Sequence, residues 1–263
     1  MANIRWHSQT SGSSQNPRIL FLHGFLGSLQ DWEAIIGKLQ QNFYCVSVDL
    51  PGHGKTPNPV KNYSFADTGD DLANFLTEMN FAPLSVIGYS MGGRLALYLA
   101  LQHPHLINKI VLESASPGLP TARERKSRAA NDNILAEKMV KMDFGLFLQE
   151  WYNQPLFNSL RRHPDFERLM KNRQRNNPGE MAKALTFLST GKQPSLWKIL
   201  PQKKIPMLLL VGQLDEKYRR IAGQMCEKCS FCSMKVIKDA GHNIHFEKPD
   251  EFANSCLDFL SGK

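Results

Sequence analysis

The stretch VIGYSMGGRLAL, residues 86–97, decides the fold. It passes from an apolar, strand-like pattern into a helical one, and Gly88-Tyr89-Ser90-Met91-Gly92 stands at the junction. A serine flanked by glycines between a strand and a helix is the pattern of a nucleophile elbow. So sharp a turn leaves no room beside it, which is why positions 88 and 92 must be small. The pentapeptide alone is a weak signal, because Gly and Ser are common; its position gives it weight. Arg94 follows one helical turn later, where a pocket for neutral acyl chains has little use for a guanidinium.

Working outward, further short apolar runs recur at 18–23, 43–50, 84–90, 109–114, 206–212 and 234–241. They are almost continuously apolar, as strands covered on both faces of a parallel sheet are. Helical patterns lie between the early ones, at about 29–39, 66–80 and 91–102, and EKPDEFANSCLDFL closes the chain. Alternation of this kind predicts a doubly wound α/β sheet, mostly parallel, with helices on both faces. From 117 to 200 the alternation stops. That stretch is polar, helical in pattern and punctuated by Pro155, Pro164, Pro178 and Pro194. It predicts an inserted helical cap (117–200) over a core made of 1–116 and 201–263, seated where such sheets bind ligands.

The 263 residues carry a net charge of +8. Within 117–200 stand fifteen Lys and Arg against eight Asp and Glu, so nearly all of the excess lies in the cap. A nucleic-acid face would spread that charge over an extended surface with interleaved aromatics. Concentration in a cap favours a small acidic substrate, although many of these side chains simply solvate a surface. No apolar run is long enough to span a bilayer, and the N-terminal stretch is polar, unlike a signal peptide. A cytoplasmic protein is expected.

The remaining parts of a Ser-acid-His relay follow in chain order. Asp215 lies just beyond an apolar run in LLLVGQLDEKY, and His242 in the loop DAGHNIHFEKP. His242 takes the serine proton in this reading, and Asp215 fixes its tautomer. Asp239, close to His242 in sequence, is the competing acid. FLHGFLGS, residues 21–28, supplies glycines that let a backbone N–H turn inward, so the Phe25 and Met91 amides form an oxyanion hole. His23 and His53 are expected to brace loops. His242 and His245 form a conceivable metal pair without a third ligand at metal spacing. GHGKT (52–56) is not a phosphate loop, since Asp49 stands where that pattern needs glycine.

Cysteine usage is equally bounded. Five cysteines, an odd number, argue against a disulfide scaffold. Cys226-x-x-Cys229-x-x-Cys232 has no fourth partner, so surface or half-buried thiols are expected there, while Cys45 and Cys256 fall in core segments.

HGFLGS, DLPGHG, GYSMGGR, ESASPGL, WYNQPLF and GQLDEKY together resemble the α/β-hydrolase family over nearly the whole chain. Arg94, the ESASPGL turn and WYNQPLF further resemble the branch of that family that eliminates pyruvate in menaquinone and phylloquinone biosynthesis. The resemblance implies a lyase that needs no cofactor and no metal. Its substrate is a cyclohexene tricarboxylate, with Ser90 as general base and the Phe25 and Met91 amides receiving an enolate oxygen. It also implies substrate contacts at Tyr89, Arg94, Arg128, Trp151, Phe157 and Arg173, with Arg125 or Arg175 as neighbouring alternatives in the cap. The competing function is a carboxylesterase or carbon–carbon bond hydrolase with a covalent Ser90 intermediate. In a purely structural role, Arg94 would cap a helix or pair with Glu113. Oligomeric state is not encoded legibly.

Overall fold

The computed structural model describes residues 4–59 and 63–262. Its sheet has seven strands: β1 (Ser8–Ser11), β2 (Arg18–Leu22), β3 (Tyr44–Val48), β4 (Leu84–Tyr89), β5 (Ile107–Glu113), β6 (Met207–Gly212) and β7 (Cys232–Ile237). Their spatial order is β1-β3-β2-β4-β5-β6-β7, and only β1 runs antiparallel to its neighbour. The interior strands β2 and β4 to β6 carry the apolar runs seen in the sequence, and burial on both faces follows from helices on each side.

Those helices are α1 (Glu33–Leu39), α2 (Phe65–Glu78), α3 (Met91–Gln102), α4 (Ala122–Lys141), α5 (Phe144–Tyr152), α6 (Phe166–Arg173), α7 (Pro178–Phe187), α8 (Glu216–Lys228), α9 (Ile244–Glu247) and α10 (Pro249–Ser261). Leu20, Val46, Leu72, Val86, Leu95, Leu97 and Leu112 share one core cluster. On the opposite face Ile19, Phe21, Trp32, Ile87, Leu210 and Phe252 share another. Together they sandwich the sheet, so α3 is buried almost all round. The wound α/β sheet expected from the alternation is therefore present.

Two strand readings need correction. Residues 8–11 are too short and polar to signal a strand, yet SQTS pairs along β3 and closes that edge of the sheet. β7 was expected to be covered on both faces, but Ser233 to Val236 are exposed. It is an edge strand, and Lys235 and the following Lys238 suit an edge that resists pairing with other chains.

Between β5 and β6 the described residues contain no strand. Helices α4 to α7 fill the interval and bury their own cluster, which includes Met139, Phe147, Leu148, Phe157, Leu169 and Met181. Thr121 begins α4 with a reciprocal cap: its side chain accepts from the Glu124 N–H, while Glu124 accepts from the Thr121 N–H. Among the described residues no helix is long and apolar enough to cross a membrane.

Candidate active site

Ser90 stands at the carboxyl end of β4, where the chain turns into α3. Its backbone has φ 49° and ψ −103°, a left-handed conformation that a non-glycine residue adopts only when its surroundings enforce it. The Ser90 N–H donates to the Glu113 carbonyl at 2.9 Å, and the Ser90 carbonyl accepts from the Arg94 N–H at 3.0 Å. The turn is thus gripped by β5 on one side and by the first helical bond on the other. A Cβ at Gly92 would lie 2.2 Å from the Leu22 carbonyl oxygen, and one at Gly88 would lie 2.7 Å from the Gly92 carbonyl oxygen. Backbone, not a movable side chain, fills both spaces.

The loops after β6 and β7 converge on this turn. Asp215 caps α8, with Oδ1 accepting from the Tyr218 N–H at 3.1 Å, and its Oδ2 lies 2.7 Å from His242 Nδ1. His242 Nε2 lies 3.1 Å from Ser90 Oγ. Asp215 and His242 are both buried, whereas Ser90 is partly open. Burial on a helix cap fixes the carboxylate, and the carboxylate in turn fixes the imidazole tautomer. Asp239, the competing acid, is exposed, and its backbone N–H turns to Gln213.

Opposite the serine, His53 Nε2 accepts from the Leu26 N–H at 3.2 Å and His23 Nε2 accepts from the Leu50 N–H at 2.9 Å. Burial holds both imidazoles neutral, drawing the His53 pKa down to about 3. As neutral rings they serve as fixed acceptors that shape the loop carrying Phe25. Phe25 and Met91 line one cavity of about 160 Å³ together with Ser90, His242, Tyr89, Trp151 and Phe157. Aromatic contacts run round its wall, with Phe25 against Trp151 at 5.2 Å and Phe157 against His242 at 6.0 Å between ring centroids.

The cationic groups of this cavity differ sharply in how they are occupied. Arg94 is 7% exposed, donates to the Leu188 carbonyl at 2.7 Å and to Gln193 Oε1 at 3.3 Å, and makes no ion pair with a described residue. Burial therefore draws its pKa down to about 10. Its structural reading as a partner of Glu113 fails, because that carboxylate is taken by the His245 ring (2.6 Å) and backbone N–H (3.0 Å). The reading as a cap has substance, since Leu188 ends α7.

Arg128 lines the cavity with its Nε turned to Asp132 at 2.8 Å. Arg173 also lines it, but its terminal nitrogens donate to both oxygens of Asp31 at 2.8 and 2.7 Å, and its Nε to Tyr152 at 3.3 Å. The Arg173 guanidinium, expected to contact substrate, is thus already neutralised by Asp31. Of the neighbouring alternatives, Arg125 turns back to the Leu119 and Pro120 carbonyls. Arg175 lines a larger adjoining cavity of about 1210 Å³ instead.

Lys217, Tyr218 and Asn243 are among the lining residues that sequence reading missed. Lys217 and Tyr218 sit inside GQLDEKY, directly after the relay acid on the first turn of α8, a position that was itself a usable signal. Lys217 is exposed as a residue, yet its ammonium end is desolvated beside Tyr218, and this and the nearby Arg128 draw its pKa down. His245, the conceivable metal partner of His242, faces Glu113 and stacks on Trp32 at 4.4 Å. Among the described residues no three His, Cys, Asp or Glu side chains gather as a metal site. Cys226, Cys229 and Cys232 are free thiols, as are Cys45 and Cys256.

Comparison with known proteins gives a consistent picture. The model of the family described as alpha/beta hydrolase fold matches residues 17–249. A Citrobacter koseri protein named 2-succinyl-6-hydroxy-2,4-cyclohexadiene-1-carboxylate synthase is 33% identical, over 95% of this chain and 96% of its own. The chloroplastic protein PHYLLO of Arabidopsis thaliana is 35% identical over 92% of this chain, which spans 15% of that longer protein. The solved structure of MenH from S. aureus superposes with a TM-score of 0.91 at 32% identity, covering 100% of this chain and 99% of that one.

Proposed function

The chain belongs to the α/β-hydrolase-fold family, and from that premise we propose that it is a pyruvate-eliminating lyase. It converts 2-succinyl-5-enolpyruvyl-6-hydroxy-3-cyclohexene-1-carboxylate into 2-succinyl-6-hydroxy-2,4-cyclohexadiene-1-carboxylate and pyruvate, a step of menaquinone and phylloquinone biosynthesis. The observation that carries this reading is the pairing of an assembled relay with a cavity that holds a buried, carboxylate-free guanidinium, Arg94. A pocket for neutral acyl chains gains nothing from that charge, which weighs against the esterase alternative.

The reaction proceeds by proton removal. Ser90 Oγ, its own proton passed to His242, removes the hydrogen on the ring carbon between the succinyl ketone and the ring double bond. The electron pair moves onto the ketone oxygen as an enolate, which the Phe25 and Met91 N–H groups receive. When that charge returns, the double bond shifts and the enolpyruvyl carbon–oxygen bond breaks across the ring, leaving the conjugated diene. Ser90 Oγ keeps the abstracted proton, and His242 gives the proton it took from the serine to the departing enolpyruvate, which becomes pyruvate. No acyl-enzyme forms and no cofactor is consumed.

Substrate binding falls to Tyr89, Arg94, Arg128, Trp151, Phe157 and Arg173, together with Lys217. The tricarboxylate is the only partner this reading needs, with no nucleic acid, and its setting is the cytoplasm. Segment 117–200 acts as the cap that selects the substrate. The test is to mix the protein with the enolpyruvyl substrate while following pyruvate release and diene absorbance. Absence of any rate above background would sink the reading.

A further inference from the structure

We propose that Asn243 recognises the ring hydroxyl of the substrate, an assignment that rests on the pyruvate-eliminating reading. Asn243 follows His242 directly and is 3% exposed. Its backbone N–H donates to Glu247 Oε1 at 3.3 Å, so the main chain is anchored. The side chain is not. Its Oδ1 is buried without a hydrogen-bond partner. Native folds rarely leave a buried amide unpaired, and where they do, a water or ligand completes it. This amide lines the catalytic cavity with Ser90, Met91 and His242, at the border with the larger cavity.

The substrate's own chemistry selects what Asn243 meets. At neutral pH its carboxylates, ketone and enol ether only accept hydrogen bonds; the ring hydroxyl is its one donor. The charged groups around the cavity, Arg94, Arg128, Arg173 and Lys217, only donate, and so they suit the carboxylates. The lining acceptor Asp132 is already occupied by Arg128 and by the Ser189 hydroxyl at 2.6 Å. Asn243 is a lining group whose buried acceptor oxygen has no partner among the described residues. A hydroxyl both donates and accepts, so either orientation of the amide satisfies it. Anchoring it beside His242 restricts how the ring turns against Ser90 and rejects rings that lack the hydroxyl.

The test compares pyruvate release from the hydroxylated substrate and from its 6-deoxy analogue, for the wild type, Asn243→Ala and Asn243→Ser. The wild type should prefer the hydroxylated ring by about tenfold or more in kcat/KM, because a site built for a hydroxyl is left unpaired by the analogue. Asn243→Ala should lose most of that preference by slowing on the hydroxylated ring alone, while Asn243→Ser should retain part of it. Equal turnover of both rings by the wild type overturns the assignment whatever the variants do. An equal loss on both rings in the variants also overturns it, since that is the mark of a merely structural side chain. No pyruvate from the wild type with either ring would instead remove the reaction itself, and this assignment with it.

Discussion

Replacing Arg94 with Met separates the two jobs open to that side chain. Burial lowers its pKa to about 10, and at ~1.4 kcal/mol per pKa unit the fold spends about 3 kcal/mol keeping it charged. That cost is present at every pH below about 10 and is relieved only as the group deprotonates above it. Methionine removes the charge, fills similar space, and forfeits the bonds to the Leu188 carbonyl and Gln193, together roughly 1–3 kcal/mol. The two nearly cancel, so the melting temperature should stay within about 4 °C of wild type. Activity should not. One charged hydrogen bond to a carboxylate contributes about 1.5–3 kcal/mol, so kcat/KM for pyruvate release should fall about ten- to hundredfold or somewhat more. Thermal unfolding and steady-state kinetics on one preparation decide the matter. A variant that melts about 10 °C lower with kcat/KM intact would refute the reasoning and make Arg94 a cap of α7 and nothing more.

Ser90→Ala should lower kcat about 10²- to 10⁴-fold while leaving KM near the wild-type value, as removal of a general base does; retention of near wild-type kcat in the pyruvate assay would point to another base. Because Lys217 sheds its proton below the ordinary lysine range, kcat/KM should decline on the alkaline side, and Lys217→Arg should move that decline upward. A superimposable pH profile for that variant would show that the ammonium does not touch substrate. His53, held near 3 in the fold against 6.5 unfolded, makes the unfolded chain bind the extra proton between those values. Stability is then complete above about 6.5 and is lost as pH falls toward about 3, by about 5 kcal/mol at most. Urea unfolding of His53→Gln at pH 7 and pH 4 should show a smaller acid loss than wild type, and an unchanged loss would move the effect elsewhere.

The relay was legible because each of its parts lies within a few residues of a strand end, where local pattern and chain order are both informative. Ser90, Asp215 and His242 needed no knowledge of long-range packing, and Asp239 lost its candidacy only through its orientation. Arg173 shows the opposite case. Its partner Asp31 is 142 positions away in the chain, so no spacing rule could reveal that its guanidinium is already neutralised. β1 escaped notice because four polar residues carry no periodic signal, and β7 looked more buried than it is because an edge strand can be apolar in composition. The unpaired amide of Asn243 belongs to the same class. A missing hydrogen bond exists only in three dimensions.

The state of each arginine bears on why, in the proposed reaction, an elbow built like a nucleophile would serve as a base. Arg173 is matched by Asp31 and Arg128 by Asp132, so these two contribute shape and directed N–H groups but little net field. Arg94 and the ammonium of Lys217 are the cavity cations without a carboxylate among the described residues. A trianionic substrate that places carboxylates on them sets its ring by charge, not by the fit of an acyl chain. The relay has no means of its own to choose between a C–H bond and a carbonyl carbon. Whichever atom the cations hold against Ser90 Oγ is the one that reacts, and the oxyanion donors are equally suited to an enolate and to a tetrahedral intermediate. In the proposed reaction, specificity for elimination is therefore a property of the charges around the cavity, and the Ser90–His242–Asp215 relay would supply only the proton transfer.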